Sequence, residues 1–297
     1  MIRRFWLPVC SLVAAAFVAS EGAAQMMLPG AAPTAPQGAT VAPAKPRSAG
    51  AAKGVAAGAK SAKPGAAPSV ASLAGRTLKL NGRSGQLQIS GDDQTATIDK
   101  LQLAGESVSD PSQRCVVDIV GEKPIQATSV GRPDGLMRFE ADVPACPFSF
   151  DVVDGAALAP SQITACVFKA ADCQTSPGGL WGPDGASLVG DAAKFAKERL
   201  EADKAMAKAF HAIEDRAKDS PEAADLVRDQ NGFAGQREDI CRDYDKEGVH
   251  GFCALRLTQA RAALLETRLS EFHAAAAGKA ASEKPSKTRP KKGAKQP

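Results

Sequence analysis

Met137-Arg-Phe-Glu-Ala-Asp-Val143, followed by Phe148-Ser-Phe-Asp-Val152, alternates apolar and polar residues. A period of two puts every second side chain on one face of an extended chain, so this stretch predicts two half-buried β-strands. The pattern continues upstream in Arg76-Thr-Leu-Lys-Leu80, Gln86-Leu-Gln-Ile-Ser90 and Thr95-Ala-Thr-Ile-Asp99. Cys115-Val-Val-Asp-Ile-Val120 and Ile163-Thr-Ala-Cys-Val-Phe168 are more evenly apolar. Asn81-Gly82, Gly91-Asp92, Asp134-Gly135 and Asp154-Gly155 supply turn chemistry between the runs. Residues 73–189 therefore read as an antiparallel β-sandwich or small barrel. Pro177-Gly-Gly-Leu-Trp-Gly-Pro183 closes this region. It lacks the Lys-Ser/Thr of a phosphate-binding loop and reads as a turn with Trp181 folded onto the sheet.

From Asp191 the period changes. Phe195, Met206, Phe210 and Ile213 recur near helical spacing, with charges between them. Ser220-Pro221 ends one helix and starts the next as N-cap and first-turn proline, with Glu222 in that turn. Leu226, Phe233, Arg237 and Ile240 continue the pattern, Gly248 and Gly251 break it, and Cys253, Leu257, Ala260 and Leu264 share a face of a third helix. The expectation for residues 190–278 is an antiparallel three-helix bundle. The whole chain then reads as α+β with two domains.

The N-terminus bears on compartment. Arg3 and Arg4 precede an apolar run from Leu7 to Val18, too short to span a bilayer, and Gly22-Ala23-Ala24 offers small residues for cleavage. Residues 1–24 read as a Sec-type signal peptide that removes Cys10, which makes the mature chain periplasmic or secreted. Six cysteines remain: Cys115, Cys146, Cys166, Cys173, Cys241 and Cys253. An even count in an exported chain predicts disulfides, and the close pairs that a zinc site needs are missing. The break near residue 190 makes Cys241–Cys253 a local bridge across the helix–helix corner, leaving a loop exposed. Upstream, the expected pairs are Cys115–Cys146 and Cys166–Cys173, with the other arrangements open.

The helical segment carries a further pattern. Phe233 stands eight residues before Cys241 and Arg237 four before it, while Thr258, Arg261 and Leu264 follow Cys253. In these residues it resembles the LprI-like (lysozyme inhibitor LprI) domain of bacterial envelope proteins. The family's usual Trp is Phe233 here and its usual Tyr is Gln236. The resemblance implies inhibition of lysozyme-type muramidases. Phe233 reads as core. Arg237 and Arg261 read as structural guanidiniums that bond helix-end carbonyls or acids such as Glu238 or Glu266. The loop 242–251 offers Arg242, Lys246 and His250 as partner contacts.

Residues 25–72 are almost wholly Ala, Pro, Gly, Ser, Thr and Lys, and residues 279–297 are strongly basic. Both read as disordered. The signal segment carries +1, residues 25–72 carry +5 and residues 279–297 carry +6, so the whole-chain charge of +4 leaves −8 on residues 73–278. An acidic globule excludes a nucleic-acid reader, which needs a basic folded face. The basic arms fit an anionic envelope polymer, which makes a non-enzymatic envelope interaction module the alternative to an inhibitor. Asp243, Asp245 and Glu247 with Gly248 imitate the start of a calcium loop, but Ala254 stands where the bidentate Glu belongs. His211, His250 and His273 are scattered, and no nucleophile motif accompanies them. No catalytic residue, metal or cofactor is expected.

Overall fold

Residues 68–161, 164–218 and 220–282 are described by the computed structural model, and all lie in one compact unit, Ala59–Pro297. The sequence alternation becomes strands β1 (Leu78–Leu80), β2 (Ser84–Gly91), β3 (Thr95–Ser107), β4 (Arg114–Asp118), β5 (Ile125–Gly131), β6 (Met137–Ala141), β7 (Phe148–Val153), β8 (Ala156–Ala159), β9 (Cys166–Phe168), β10 (Cys173–Thr175) and β11 (Gly179–Gly182). Eight of them, β1, β2, β3, β5, β6, β7, β8 and β11, close in chain order into an antiparallel barrel, with β11 returning to β1. Closure removes the sheet edges that a sandwich would leave open. Leu87, Ile98, Phe139, Phe150, Val152 and Trp181 fill the interior, each no more than 1% exposed. Trp181 therefore lies inside the barrel, its indole N–H donating to the Pro177 carbonyl at 2.8 Å.

Both Ile98 and Leu101 on β3 point inward although they are an odd number of residues apart. A bulge reconciles them: Gln88 pairs with Lys100 and Ile89 with Ile98, leaving Asp99 as the extra residue on β3. Beyond the bulge β3 outruns the barrel, so β4 pairs with its far half on one edge and β10 on the other.

That overhang corrects the expected cysteine pairing. Cys115 bonds Cys173, and Cys146 bonds Cys166. Cys115 lies opposite Gly105 and Cys173 opposite Ser107, so the first bridge joins the two strands flanking β3. Gly105 lets them close in, because a Cβ there would sit 2.1 Å from the Gln174 carbonyl oxygen. In the chain-entropy picture each bridge contributes roughly 3–4 kcal/mol.

Helices α1 (Ala192–Glu214), α2 (Pro221–Cys241), α3 (Glu247–His250) and α4 (Phe252–Ser282) follow. Ser220 caps α2 as read, its hydroxyl accepting from the Ala223 N–H, with Pro221 in the first turn. Helix α1 packs along α4, and α2 touches both. The helices also cover the outside of β7, β8 and β11: Val153, Ala156, Leu158 and Leu180 share one apolar cluster with Phe195, Phe252, Leu255 and Leu257. These strands are thus buried on both faces, with Ala157 turned to the barrel interior and Ala156 presenting a small side chain to the helical layer.

The folded part is longer than residues 73–278. Val70 belongs to a short 3-10 turn, and it joins Leu73 in the barrel core, both 0% exposed. The Val70 N–H is held by Asp93 at 2.9 Å. Helix α4 runs on to Ser282. The expected signal peptide (1–24), the rest of the expected linker and residues 283–297 lie outside the described residues. No described helix is long and apolar enough to cross a membrane.

Candidate functional site

The Cys241–Cys253 bridge forms and joins the end of α2 to the start of α4. The loop between them is exposed, as expected, at Arg242, Asp243, Lys246, Gly248 and Val249, while Tyr244 and His250 are buried and Tyr244 ties the loop to the barrel. Tyr244 is 2% exposed and fills a slot at the barrel end made by Gly82, Gly182 and Gly185. Any Cβ on those glycines would fall within 2.6 Å of the loop: of the Tyr244 ring at Gly82, of its hydroxyl at Gly182, of the Asp245 carbonyl at Gly185. The Tyr244 hydroxyl donates to the Pro183 carbonyl at 2.8 Å, and the Asp245 N–H donates to the Asn81 carbonyl at 2.9 Å. Burial pushes the Tyr244 hydroxyl pKa far above its ordinary value.

Lys246 then turns the chain at φ 56°, a left-handed conformation that strains a non-glycine residue. Glu247 follows and caps α4, its carboxylate accepting from the Cys253 N–H at 2.9 Å and the Ala254 N–H at 2.8 Å. Burial raises its pKa, and these two bonds work against the rise. The fifth position of the apparent calcium loop, Glu247, is thus occupied in capping a helix.

His250 is buried. Its Nδ1 accepts from the Phe252 N–H at 3.1 Å, so the ring proton sits on Nε2 and donates to the Asp245 carbonyl at 2.8 Å. This takes His250 off the surface and corrects its assignment as a partner contact: its ring is the internal brace of the loop. Arg242 and Lys246 do face solvent. His211 lies beside Glu214 and His273 beside Arg216, so the three histidines serve separate local contacts.

The residues singled out by the family pattern converge. Phe233 is buried, with the Arg237 guanidinium 5.4 Å from its ring centroid and that of Arg261 at 5.7 Å. Arg237 donates to the Thr258 hydroxyl at 2.8 Å, and that hydroxyl donates to the Ala254 carbonyl. Arg261 donates to Gln230 at 2.8 Å, and burial lowers its pKa. Arg237 also meets Asp203 of α1 at 3.6 Å and Arg261 the Leu226 carbonyl at 3.5 Å, an acid and a carbonyl in place of the Glu238 and Glu266 offered as examples. Leu264 packs at the edge of the cluster of Ile213, Ala223 and Leu265.

Sequence reasoning missed Arg256. It is 5% exposed, lies 4.8 Å from the Phe252 ring, and reaches Asp154 of the β7–β8 turn at 3.3 Å and Glu198 of α1 at 3.9 Å. It pins α4 to both layers. Arg268 ties α4 to the barrel further along, donating to Asp134 at 2.7 Å, whose other oxygen meets Arg138 of β6.

Around this corner α1, α2 and α3 enclose an open groove of about 800 Å³. Phe195, Ala196, Ala234, Cys241 and Ala254 supply its apolar lining, and Arg199, Arg237 and Arg242 its cations. Comparison of the chain with protein-family models, with curated proteins and with solved structures finds no match.

Proposed function

We propose that the protein is an exported, non-enzymatic binding module of the cell envelope, and that it inhibits lysozyme-type muramidases by setting Arg242 and Lys246 into the acidic catalytic cleft. One observation carries this reading: both cations are exposed on a loop whose backbone is held by a disulfide, by Tyr244 in its slot and by the Glu247 cap. A muramidase cleft presents two carboxyl groups. Two cations held in place complement it, and a loop already ordered loses little entropy on docking. The −8 charge of residues 73–278 favours encounter with a basic enzyme. Three disulfides accord with export. In this reading the disulfide-clamped three-helix part is the inhibitory domain and the β domain its support.

The test is a turbidity lysis assay with the mature protein and a basic lysozyme. Inhibition is expected, with the double variant R242A/K246A weaker by about tenfold or more and the wild-type effect fading as salt rises. The basic segments repel a basic enzyme, so their removal should leave inhibition intact or improve it. Absence of inhibition at micromolar protein, with binding to isolated anionic polymer that vanishes when those segments are removed, would replace the inhibitor reading with envelope contact.

A further inference from the structure

We propose that the groove between α1, α2 and α3 is a docking site for an acidic polypeptide segment carrying an apolar anchor. The proposal goes beyond muramidase inhibition and does not depend on it. Two observations combine. Leu200 of α1 and Val249 of α3 are 61% and 60% exposed, and both line this groove. Large aliphatic side chains left that open over an apolar floor gain most when a partner side chain covers them. Phe195, Ala196 and Ala234 provide that floor.

The second observation is charge. Three guanidiniums, Arg199, Arg237 and Arg242, line the groove against two carboxylates, Glu238 and Glu247. Glu247 has both oxygens engaged by the Cys253 and Ala254 N–H groups. Its charge serves chiefly the start of α4, and it also acts on Arg199 in the groove. Arg199 and Arg237 share Asp203 at 3.7 and 3.6 Å, and Arg242 meets Asp239 in an exposed pair. Such pairs contribute little and exchange readily for an incoming carboxylate. Each guanidinium still has N–H donors to spare, and their planar fork matches a carboxylate. The occupant that satisfies both features is a peptide segment with Asp or Glu beside a Leu-sized side chain.

The test uses the full mature chain, immobilised through its C-terminus and panned against a phage-displayed random-peptide library. Leu200→Asp and Arg199→Glu serve as counter-surfaces, and circular dichroism with non-reducing peptide mapping checks their fold. Both sites are substantially exposed, so both variants should fold. The expected result is enrichment of sequences that place Asp or Glu next to Leu, Ile, Met or Phe. A synthetic peptide from that pool should bind at least about tenfold more weakly to each variant, and more weakly as salt rises. The proposal is overturned if nothing enriches over a blank surface, if the enriched sequences are basic or lack acids, or if both variants bind the peptide like the wild type. A concentration-dependent dimer in sedimentation that Leu200→Asp abolishes would also overturn it, by making a second copy of the chain the occupant.

Discussion

The barrel and the disulfide-clamped corner are held together in different ways. Inside the barrel, Phe139, Phe150 and Trp181 meet aliphatic neighbours in an apolar core, and polar groups play almost no part. At the corner, Tyr244, Glu247, His250 and Arg256 are buried or nearly so, and each is fixed by named hydrogen bonds or ion pairs. Apolar packing tolerates sliding, whereas buried polar groups must meet their partners or lose stability. The barrel is therefore the source of stability, and the corner is the part whose shape is specified.

The largest effect should come from the barrel. Trp181→Ala removes a fully buried indole and should cost about 3–5 kcal/mol, read by urea denaturation. The corner should respond more weakly in stability and more strongly in local structure. Gly185→Ala drives a Cβ to within 2.1 Å of the Asp245 carbonyl oxygen, so the loop must move away. A cost of about 1–3 kcal/mol is expected, together with faster amide exchange confined to residues 242–251. An equal rise in exchange throughout the barrel would show that the two regions are not separable.

The contrast between the regions also explains what the sequence disclosed. Alternation in 137–152 and the Gly-containing turns identify the strands because side-chain direction in a strand is a local property. Barrel closure is not local: β11 meets β1 about a hundred residues away, and nothing within either strand names its partner. The cysteine pairs were illegible for the same reason, since both depend on where β3 overruns the barrel. Val70 and Leu73 were hidden at the edge of an Ala/Pro/Lys-rich stretch, where a pair of apolar residues makes no period. Tyr244 sits in Asp243-Tyr-Asp-Lys-Glu247, which reads as a solvated turn, and its slot is built by glycines from two places about a hundred residues apart, Gly82 and the stretch 182–185. Phe233, Arg237, Thr258 and Arg261 are singled out by the resemblance alone; that they meet one another is not legible, because the contacts run between two helices and depend on how these pack.

A smaller effect sharpens the electrostatic side of the comparison. Burial raises the Glu247 pKa above its unfolded value. A group of that kind contributes most below its unfolded pKa, and its contribution falls as pH rises through the folded pKa. Glu247→Gln removes this dependence, so the stability of the variant relative to wild type should increase as pH rises across the upper carboxylate range. A relative stability that falls over that range would mean that the two N–H bonds outweigh burial.

The central claim is that the barrel fixes the loop that carries Arg242 and Lys246. Hydrogen exchange at the Asp245 amide tests it most directly, because that N–H is bonded to the Asn81 carbonyl across the junction. With the Cys241–Cys253 bridge intact, the account predicts that Asp245 exchanges as slowly as the amides of β2 and β3 and opens only with them. Rapid exchange at Asp245 while those strands stay protected would contradict it.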